Sequence, residues 1–427
     1  DINRPITIRA QFPGWTEMRG SVTVTGWEPV AEYPHVYRAP LEKVARLVVE
    51  AGAGKFYREA AGPAMVAEYP GSFFYDPEAK QLLVQPSGDR PIGDCVIEAS
   101  VLPAALAGRE PEPFGARHPI YAGWIIEGLV VWGYYDSGIY IPNADGCEVR
   151  DCTAYFCGRG IFFQNAAGSA IRRCHAFSCH TPFNREMGGI AIRGYFAACV
   201  LEDNVVHDTP DNGIRFYGAH YGVTMRGNLV HDCRVGLQLK GEPYTHRQLE
   251  RHLGDFASFR DLPDDLDNLL EGNVAHRPTG GEAALIAHKS VFRRNTAIPV
   301  HSAVARGKED NLELPPEAVG DARFADPEYH DLRLQADSPW RKEDGGAVGA
   351  LPYDNSVRFV GPQGDDAAGG DSVAAAWRSL PHALGRLQPG QTLYLLPGVY
   401  PAPLDLRGLR AEPDQPTRVR AHGRGRV

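Results

Sequence analysis

A repeat of 22 to 24 residues runs through the middle of the chain and constrains its fold more than any other feature. Six short stretches of the repeat end at one column of positions: Cys152, Cys174, Asn204, Asn228, Asn273 and Asn295. Successive positions are 22, 30, 24, 45 and 22 residues apart, so we expect insertions at about 181–188 and 243–267. A fixed period of this length predicts a solenoid, in which each repeat packs on its neighbours.

A second column fixes the register of the repeat. Five glycines each precede a segment in which apolar residues alternate with others: Gly138, Gly160, Gly189, Gly213 and Gly236. Such alternation is typical of a β-strand, and the sequence lacks the Leu-x-x-Leu-x-Leu pattern of leucine-rich repeats. We therefore predict an all-β chain built on a right-handed parallel β-helix. The residues predicted to point into the coil are Ile139, Ile141, Ile161, Phe163, Ile190, Ile192, Ile214, Phe216, Leu237 and Leu239. Those predicted to point outward are Arg193, Arg215, Tyr217, Gln238 and Lys240.

Two further columns are interpreted as structural. In a parallel stack, equivalent residues lie about 4.8 Å apart, so Asn204 and Asn228 are expected to hydrogen-bond to each other in a buried ladder. A column of rings comprises Tyr155, Phe177, His207, His231 and His276. Equivalent positions in a solenoid always align, so we favour stacking over a metal site for these histidines.

The cysteines also fall into columns. Cys152 lies one repeat before Cys174, and Cys157 lies one repeat before Cys179. We favour reduced thiols that point into the coil. Disulfides are the alternative, because one coil step falls within the Cα separation that a disulfide permits.

The flanking sequence suggests three regions. Residues 1–118 carry strand-like pieces and a predicted hairpin at 72–84, so we expect early coils interrupted by a small β insertion, with the start of the domain missing. Residues 119–352 hold the regular coils. Residues 353–427 contain a strand, a helix candidate near 372–387 and a further strand, and they are interpreted as the opening of a second β-helix unit. A tandem array cut out of phase, with further β-helix domains in the same polypeptide, is favoured over circular permutation.

Charge and hydropathy exclude two classes of partner. The 427 residues carry a net charge of −9, which argues against nucleic acid binding through a basic face. The sequence has no run of 18 apolar residues, so we expect no membrane span.

The repeats at 119–350 and the opening motifs at 356–427 resemble the pectate-lyase-like β-helix superfamily. This scaffold hosts lyases, hydrolases, epimerases, tailspikes and adhesins, so the resemblance implies a fold and an extracellular or cell-surface location more than a reaction. Segments 213–218 and 289–296 look like fragments of alginate-lyase and chondroitinase-B signatures. They occur in the opposite order here, so no catalytic residue is carried over from that family.

The outward residues suggest a site for a polysaccharide. A cationic and aromatic stripe on an acidic protein suits an anionic, uronate-containing chain, and β-elimination needs a base together with positive charge on the carboxylate. Lys240 beside Arg215 and Arg193 is the candidate base, because neighbouring positive charge favours the neutral amine. Tyr217 completes the candidate catalytic group. The candidate substrate-binding residues are Gln164, Gln238, His180, Arg185 and Glu186, the last three on or next to the inserted 181–188 loop.

Two alternatives stay open. A glycoside hydrolase would need a carboxylate pair, for which the candidates are Glu186, Asp208, Asp211 and Asp232. A non-catalytic structural or adhesive module is the other alternative. No cofactor is required, and calcium would bind only if Asp208, Asp211 and Asp232 converge.

Overall fold

The computed structural model describes residues 4–88, 90–107, 119–181, 188–263, 266–276, 285–293, 296–297, 300–309, 312–313, 324–326, 331–338, 356–401, 406–407, 412 and 417–422. These residues fall into two compact units, 1–313 and 314–427. The division lies earlier in the chain than the boundary at 352 that the motifs suggested. Among the described residues, no helix is long and apolar enough to cross a membrane.

The first unit is a right-handed parallel β-helix, as the repeat predicts, and its parallel strands form three stacks, called sheets 1 to 3. Sheets 1 and 2 join at Leu285–Arg293, which pairs with both Val235–Lys240 and Asn268–Glu271. Sheet 1 contains the long strands Ala104–Ala107, Ser137–Asp145, Arg159–Ala167, Ile190–Ala197, Asn212–Tyr221, Val235–Lys240, Leu285–Arg293 and Val300–Glu309, and Tyr121–Ala122 pairs with the end of the second of them. Sheet 2 contains Thr7–Arg9, Ile125–Glu127, Glu148–Arg150, Ala170–Arg172, Val200–Glu202, Thr224–Arg226 and Asn268–Glu271. Sheet 3 contains Thr16–Arg19, Leu129–Trp132, Thr153–Tyr155, His175–Phe177, Val205–His207, Leu229–His231, Val274–His276, Thr296–Ala297 and Leu312–Glu313.

A β insertion interrupts the first coil between Thr16–Arg19 and Ala104–Ala107, as expected. Its strands are Ser21–Thr23, Glu28–Pro29, Tyr37–Pro40, Leu47–Glu50, Lys55–Phe56, Arg58–Glu59, Ser72–Asp76, Gln81–Gln85 and Ile97–Ser100. A helix at Pro63–Glu68 and 3-10 turns at Ala51–Ala53 and Ile92–Asp94 connect them. The predicted hairpin is confirmed: Ser72–Asp76 pairs antiparallel with Gln81–Gln85. Its turn is closed by Asp76 Oδ1, which accepts from the backbone N–H groups of Glu78 and Ala79.

The register of the coils is confirmed by burial. All ten residues predicted to point inward are at most 1 % exposed and belong to one apolar core cluster. The five strands from Ser137–Asp145 to Val235–Lys240 contribute alternate side chains to this core, so the period of two in the sequence is sufficient to place them.

The asparagine ladder is also confirmed. Asn204 Nδ2 donates to Asn228 Oδ1 at 3.0 Å, and Asn228 Nδ2 donates to Asn273 Oδ1 at 2.9 Å. Asn228 Nδ2 also donates to the carbonyl of Leu201 at 2.7 Å, and its Oδ1 accepts the backbone N–H of Asn204 at 3.1 Å. Asn228 is fully buried, so these contacts satisfy the backbone where it turns between sheets 2 and 3. Asn295 lies outside the described residues.

We expect Asn228→Ala to lower the free energy of unfolding by about 1 to 3 kcal/mol, because it leaves buried backbone groups of Leu201 and Asn204 unsatisfied. Chemical denaturation of both proteins measures the difference. Gln11→Ala, an exposed change in the same unit, is the control and should leave the free energy of unfolding unchanged. A neutral effect of Asn228→Ala would contradict a stabilising role of the ladder.

Seven of the eight cysteines are buried thiols at the turns of the coil, and none is in a disulfide. Burial raises the pKa of Cys157 and of Cys199 to about 12 and that of Cys147 to about 11. A thiol with so high a pKa has almost no reactive thiolate at neutral pH. The structure therefore agrees with reduced, inward-pointing thiols.

We expect a thiol-alkylating reagent to modify only Cys95 rapidly in the native protein at neutral pH. Cys95 is partly exposed on the β insertion, whereas the other seven side chains are buried. Mass spectrometry of the labelled, digested protein measures this. Rapid native labelling of Cys157 or Cys199 would contradict the packing described here, and the unfolded protein, in which all eight should react, is the control.

The second unit contains a small parallel sheet with strands Val357–Val360, Thr392–Leu395 and Arg418–Ala421. The helix Leu380–Arg386 packs Leu380 and Ala383 against this sheet, and it is shorter than the 372–387 expected. An antiparallel pair, Phe324–Asp326 and Asp331–Leu334, precedes it in the chain. That this segment opens a second β-helix stays a prediction.

Candidate functional site

The outer face of sheet 1 aligns four side chains on successive coils. Gln164 pairs in register with Arg193, Arg193 with Tyr217, and Tyr217 with Lys240. The Arg193 guanidinium and the Lys240 ammonium each lie 5.9 Å from the centre of the Tyr217 ring. Arg193 and Lys240 are exposed and Tyr217 is half-buried. We call Arg193, Tyr217 and Lys240 the cation column.

A bend in the strands follows the cation column. The next residues, Gly194, Gly218 and Gly241, have φ of +98°, +137° and +127°. A Cβ on Gly218 would lie 2.0 Å from the carbonyl oxygen of Gly194. Only glycine allows the backbones of adjacent coils to approach this closely with positive φ, so the sequence of these strands fixes where the outer face turns.

Arg215 and Gln238 differ from the prediction. They alternate with the inward residues, but Arg215 is 1 % exposed and Gln238 is 5 % exposed, so neither forms part of an accessible stripe. The Arg215 guanidinium lies 4.2 Å from the centre of the Tyr217 ring. Gln238 Oε1 accepts from Asn212 Nδ2 at 3.3 Å. Alternation along a strand sets the direction of a side chain, whereas its exposure depends on what covers the strand. Arg215 is therefore a buried residue that packs against the Tyr217 ring.

The earlier coils extend the face with aromatic and amide groups. Tyr140 Oη donates to Gln164 Oε1 at 3.0 Å. The Tyr140 and Phe162 rings stack at 5.3 Å, and the Arg159 guanidinium lies 4.3 Å from the Phe162 ring. Arg159 also forms an ion pair with Asp136. The side chain of Gln164 is thus held in place one coil before Arg193.

The insertion at 243–267 forms two helices, His246–Leu253 and Ala257–Arg260. The first begins with a capping box between Thr245 and Gln248, and the carboxylate of Asp145 accepts from the backbone N–H groups at the start of the second. Both helices pack on the ends of the long strands through a cluster of Ala167, Ala197, Tyr221, Leu249, Leu253, Phe256 and Phe259. The insertion therefore flanks the outer face on one side, as expected.

One contact of this insertion was missed from the sequence. The His252 and Tyr195 rings stack with their centres 3.6 Å apart and their planes at 6°. Tyr195 follows Arg193 by two residues on the same strand. The capping box and the buried Leu249 and Leu253 could have been found as a helix signal in the sequence, but nothing in a non-repeating insertion identifies the strand residue that His252 meets.

The inserted loop on the other side is described only at its ends. His180 Nδ1 lies 3.4 Å from Asp211 Oδ2, and the same oxygen accepts the backbone N–H of Thr181 at 2.8 Å. The His180 ring packs 5.3 Å from Phe56 of the β insertion. Arg185 and Glu186 lie outside the described residues, so their expected role in binding stays a prediction.

The three candidate calcium ligands do not form one site. Asp208 and Asp232 lie at turns with φ of +48° and +52°, and each contacts the Nδ1 of the preceding histidine, at 2.9 Å and 2.7 Å. Asp211 is fully buried beside Thr181 instead. In the part of the chain that the structure describes, no three His, Cys, Asp or Glu side chains are arranged to hold a metal ion. Spacing in the sequence brought these aspartates to adjacent coils, but local turn geometry directs them to different partners.

The aromatic column on sheet 3 is a stack, as interpreted. The rings of Tyr155, Phe177, His207 and His231 follow one another at 5.0, 5.2 and 4.9 Å, with planes within 11° of parallel. Parallel stacked imidazoles direct their ring nitrogens side by side and not toward one point, which does not suit a shared metal ion. The side chain of His276 is not described.

The cations of sheet 2 contrast with those of the cation column. Glu127 binds Arg9 and Arg150, and Glu202 binds Arg172 and Arg226, in a continuous ladder of ion pairs. Hydrogen bonds from Arg150 and Arg9 hold the pKa of Glu127 below its usual value. Among the described residues, no carboxylate forms an ion pair with Arg193 or Lys240. Within the described part of the chain, the positive charge on the face of sheet 1 is therefore not neutralised by an ion pair.

The match to a family model agrees with the fold. Residues 122–245 match the family of right-handed β-helix regions. No curated protein sequence matches the chain. A solved structure described as a glycoside hydrolase is similar with a TM-score of 0.45 and 8 % identity, over 73 % of this chain and 86 % of that one. A solved complex of XylC with xylose is similar with a TM-score of 0.42 and 11 % identity, over 99 % of this chain and 77 % of that one. The sequence repeat, the strand pairing and the family match agree that the first unit is a right-handed parallel β-helix.

Proposed function

We propose that this chain is a carbohydrate-active protein that binds a uronate-containing polysaccharide on the outer face of sheet 1 and cleaves it by β-elimination. The observation that carries the proposal is the cation column, in which two exposed cations flank one aromatic ring without a carboxylate partner among the described residues. An aromatic ring packs against the face of a sugar, and the cations attract its carboxylate. Action outside the cell or at its surface, expected from the fold class, is part of the proposal.

The two cations have a defined task in elimination. Loss of the proton next to the uronate carboxylate develops negative charge on that carboxylate, so fixed positive charge stabilises the transition state. Arg193 and Lys240 lie two coils apart, which is roughly 10 Å along the stack, and Tyr217 lies between them. The Lys240 Nζ lies 5.9 Å from the centre of the Tyr217 ring, where an aromatic ring attracts a cation, so we assign Lys240 to the carboxylate and not to proton abstraction. Gln164 extends the binding face by one coil.

The other two functions have less support in the geometry. A hydrolase would need two carboxylates facing across the bound sugar, but Asp208 and Asp232 are held by His207 and His231. Asp211 is buried beside Thr181. A purely structural module would not need two exposed cations around a single ring. Calcium binding remains a proposal, but Asp208, Asp211 and Asp232 together are not the proposed ligands.

The experiment is a screen of the purified protein against uronate polymers and neutral polymers. Elimination creates a double bond conjugated with the carboxylate, so cleavage of a uronate polymer should raise the ultraviolet absorbance. Binding is measured in parallel by affinity electrophoresis in gels containing each polymer. New reducing ends without absorbance would indicate a hydrolase. Binding without cleavage would indicate a non-catalytic module, and no binding to any uronate polymer would refute the proposal.

A further inference from the structure

His252 is held by two different elements, its own helix and the strand that carries Arg193 of the cation column. Its helix, His246–Leu253, is fixed to the long strands through Leu249 and Leu253, both fully buried. The His252 ring lies flat on Tyr195, with 3.6 Å between the ring centres. The remainder of His252 is exposed. An imidazole placed in this way has one defined orientation and access to a bound ligand.

Tyr195 connects His252 to the site. It follows Arg193 by two residues, which is roughly 7 Å along a strand, and the positive φ of Gly194 bends the strand between them. The backbone N–H of Tyr195 donates to Asn165 Oδ1 at 3.1 Å, so the bend is fixed by the preceding coil. The His252 ring therefore flanks the face on which the cation column lies.

We propose that His252 is the general base of the proposed elimination. The inference rests on the proposed function. In the reaction, a ring nitrogen of His252 takes the proton from C5 of the uronate, and the electron pair of that C–H bond forms the C4–C5 double bond. The bond from C4 to the glycosidic oxygen breaks, and that oxygen takes a proton from water or from the imidazolium. Arg193 and Lys240 stabilise the charge on the carboxylate meanwhile. No oxidant or reductant is needed.

The protonation state of His252 suits this role. Burial lowers the pKa of His252 below the ordinary histidine value, and the positive charge of Arg251 is the second and smaller cause. The titratable groups next to it among the described residues are Arg251 on its own helix and Tyr195 on the strand on which it packs. A base must be neutral to accept a proton, and a lowered pKa keeps His252 neutral at neutral pH. Activity should thus be retained at neutral pH and be lost as the pH falls through the lowered pKa.

The test is the pH profile of elimination and the affinity for the same uronate polymer, measured for the wild type, His252→Gln and Glu250→Gln. In the wild type, we expect the acid limb of kcat/KM below the ordinary histidine pKa of about 6.5. His252→Gln should lower kcat by about 100-fold or more, which is within the range for general base catalysis, and should leave binding within about twofold. Glu250→Gln, an exposed change on the same helix, should behave as the wild type.

The outcomes separate this inference from the proposed function. A wild type that binds no uronate polymer, or that binds without elimination, refutes the proposed function. If the wild type is active and His252→Gln has the same rate and the same acid limb of the pH profile, only the role of His252 is refuted. An activity that rises only toward the ordinary lysine pKa of about 10.4 would assign the base to Lys240 instead. Circular dichroism and binding of His252→Gln show whether a loss of rate reflects misfolding.

Discussion

Gly218→Ala is expected to destabilise the β-helix by roughly 3 kcal/mol or more. Two costs add at this position. A residue with a side chain is strained at a φ of +137°, and the new Cβ would lie 2.0 Å from the carbonyl oxygen of Gly194 on the preceding coil. Backbone cannot move aside as a flexible side chain can, so adjacent coils would have to separate. Guanidinium unfolding followed by circular dichroism measures the change.

Gly52→Ala provides the matched control for Gly218→Ala. Gly52 lies in the same compact unit, and a Cβ there would meet no atom within 4 Å. We expect its unfolding midpoint to remain close to that of the wild type. Equal midpoints for the two variants would contradict the close approach of the coils at the bend, and with it the geometry of the cation column.

Lys240→Ala is expected to lower kcat/KM for elimination by about 100-fold or more, because it removes a charge that stabilises the carboxylate in the transition state. Lys240 is exposed and contributes little to the core, so the unfolding midpoint should not change. Arg193→Ala should weaken binding, and more strongly at low salt, because exposed charges are screened beyond about 10 Å at 0.1 M ionic strength. Kinetics and binding at two salt concentrations measure both effects.

Lys43→Ala is the control for loss of one positive charge. Lys43 is exposed on the β insertion, so its removal should leave both rate and binding unchanged. Full elimination activity of Lys240→Ala would remove this lysine from the mechanism and leave the stabilising positive charge to Arg193.

The repeat predicts the parts of the molecule that depend on register. Ile214 and Phe216 are buried, and Asn204 and Asn228 form a ladder, because each residue position recurs in every coil and the coils stack in register. Burial of the outward Arg215 could not be predicted, because it depends on what covers the strand.

The insertions limit what the sequence reveals about the site. They do not repeat, so no second copy of the pattern fixes where they pack. The contact of His252 with Tyr195 is therefore visible only in the structure. For Asp208 the repeat itself misleads. Alignment of the repeats places Asp208 near other aspartates, but in its turn conformation the side chain contacts His207.

A crystal structure of the protein with a uronate oligosaccharide tests the central claim most directly. We predict a sugar ring packed against Tyr217, with a uronate carboxylate within hydrogen-bonding distance of Lys240 Nζ or of the Arg193 guanidinium. We also predict that the uronate C5 faces the ring of His252. An oligosaccharide bound on another face of the β-helix, with the cation column free, would contradict the account.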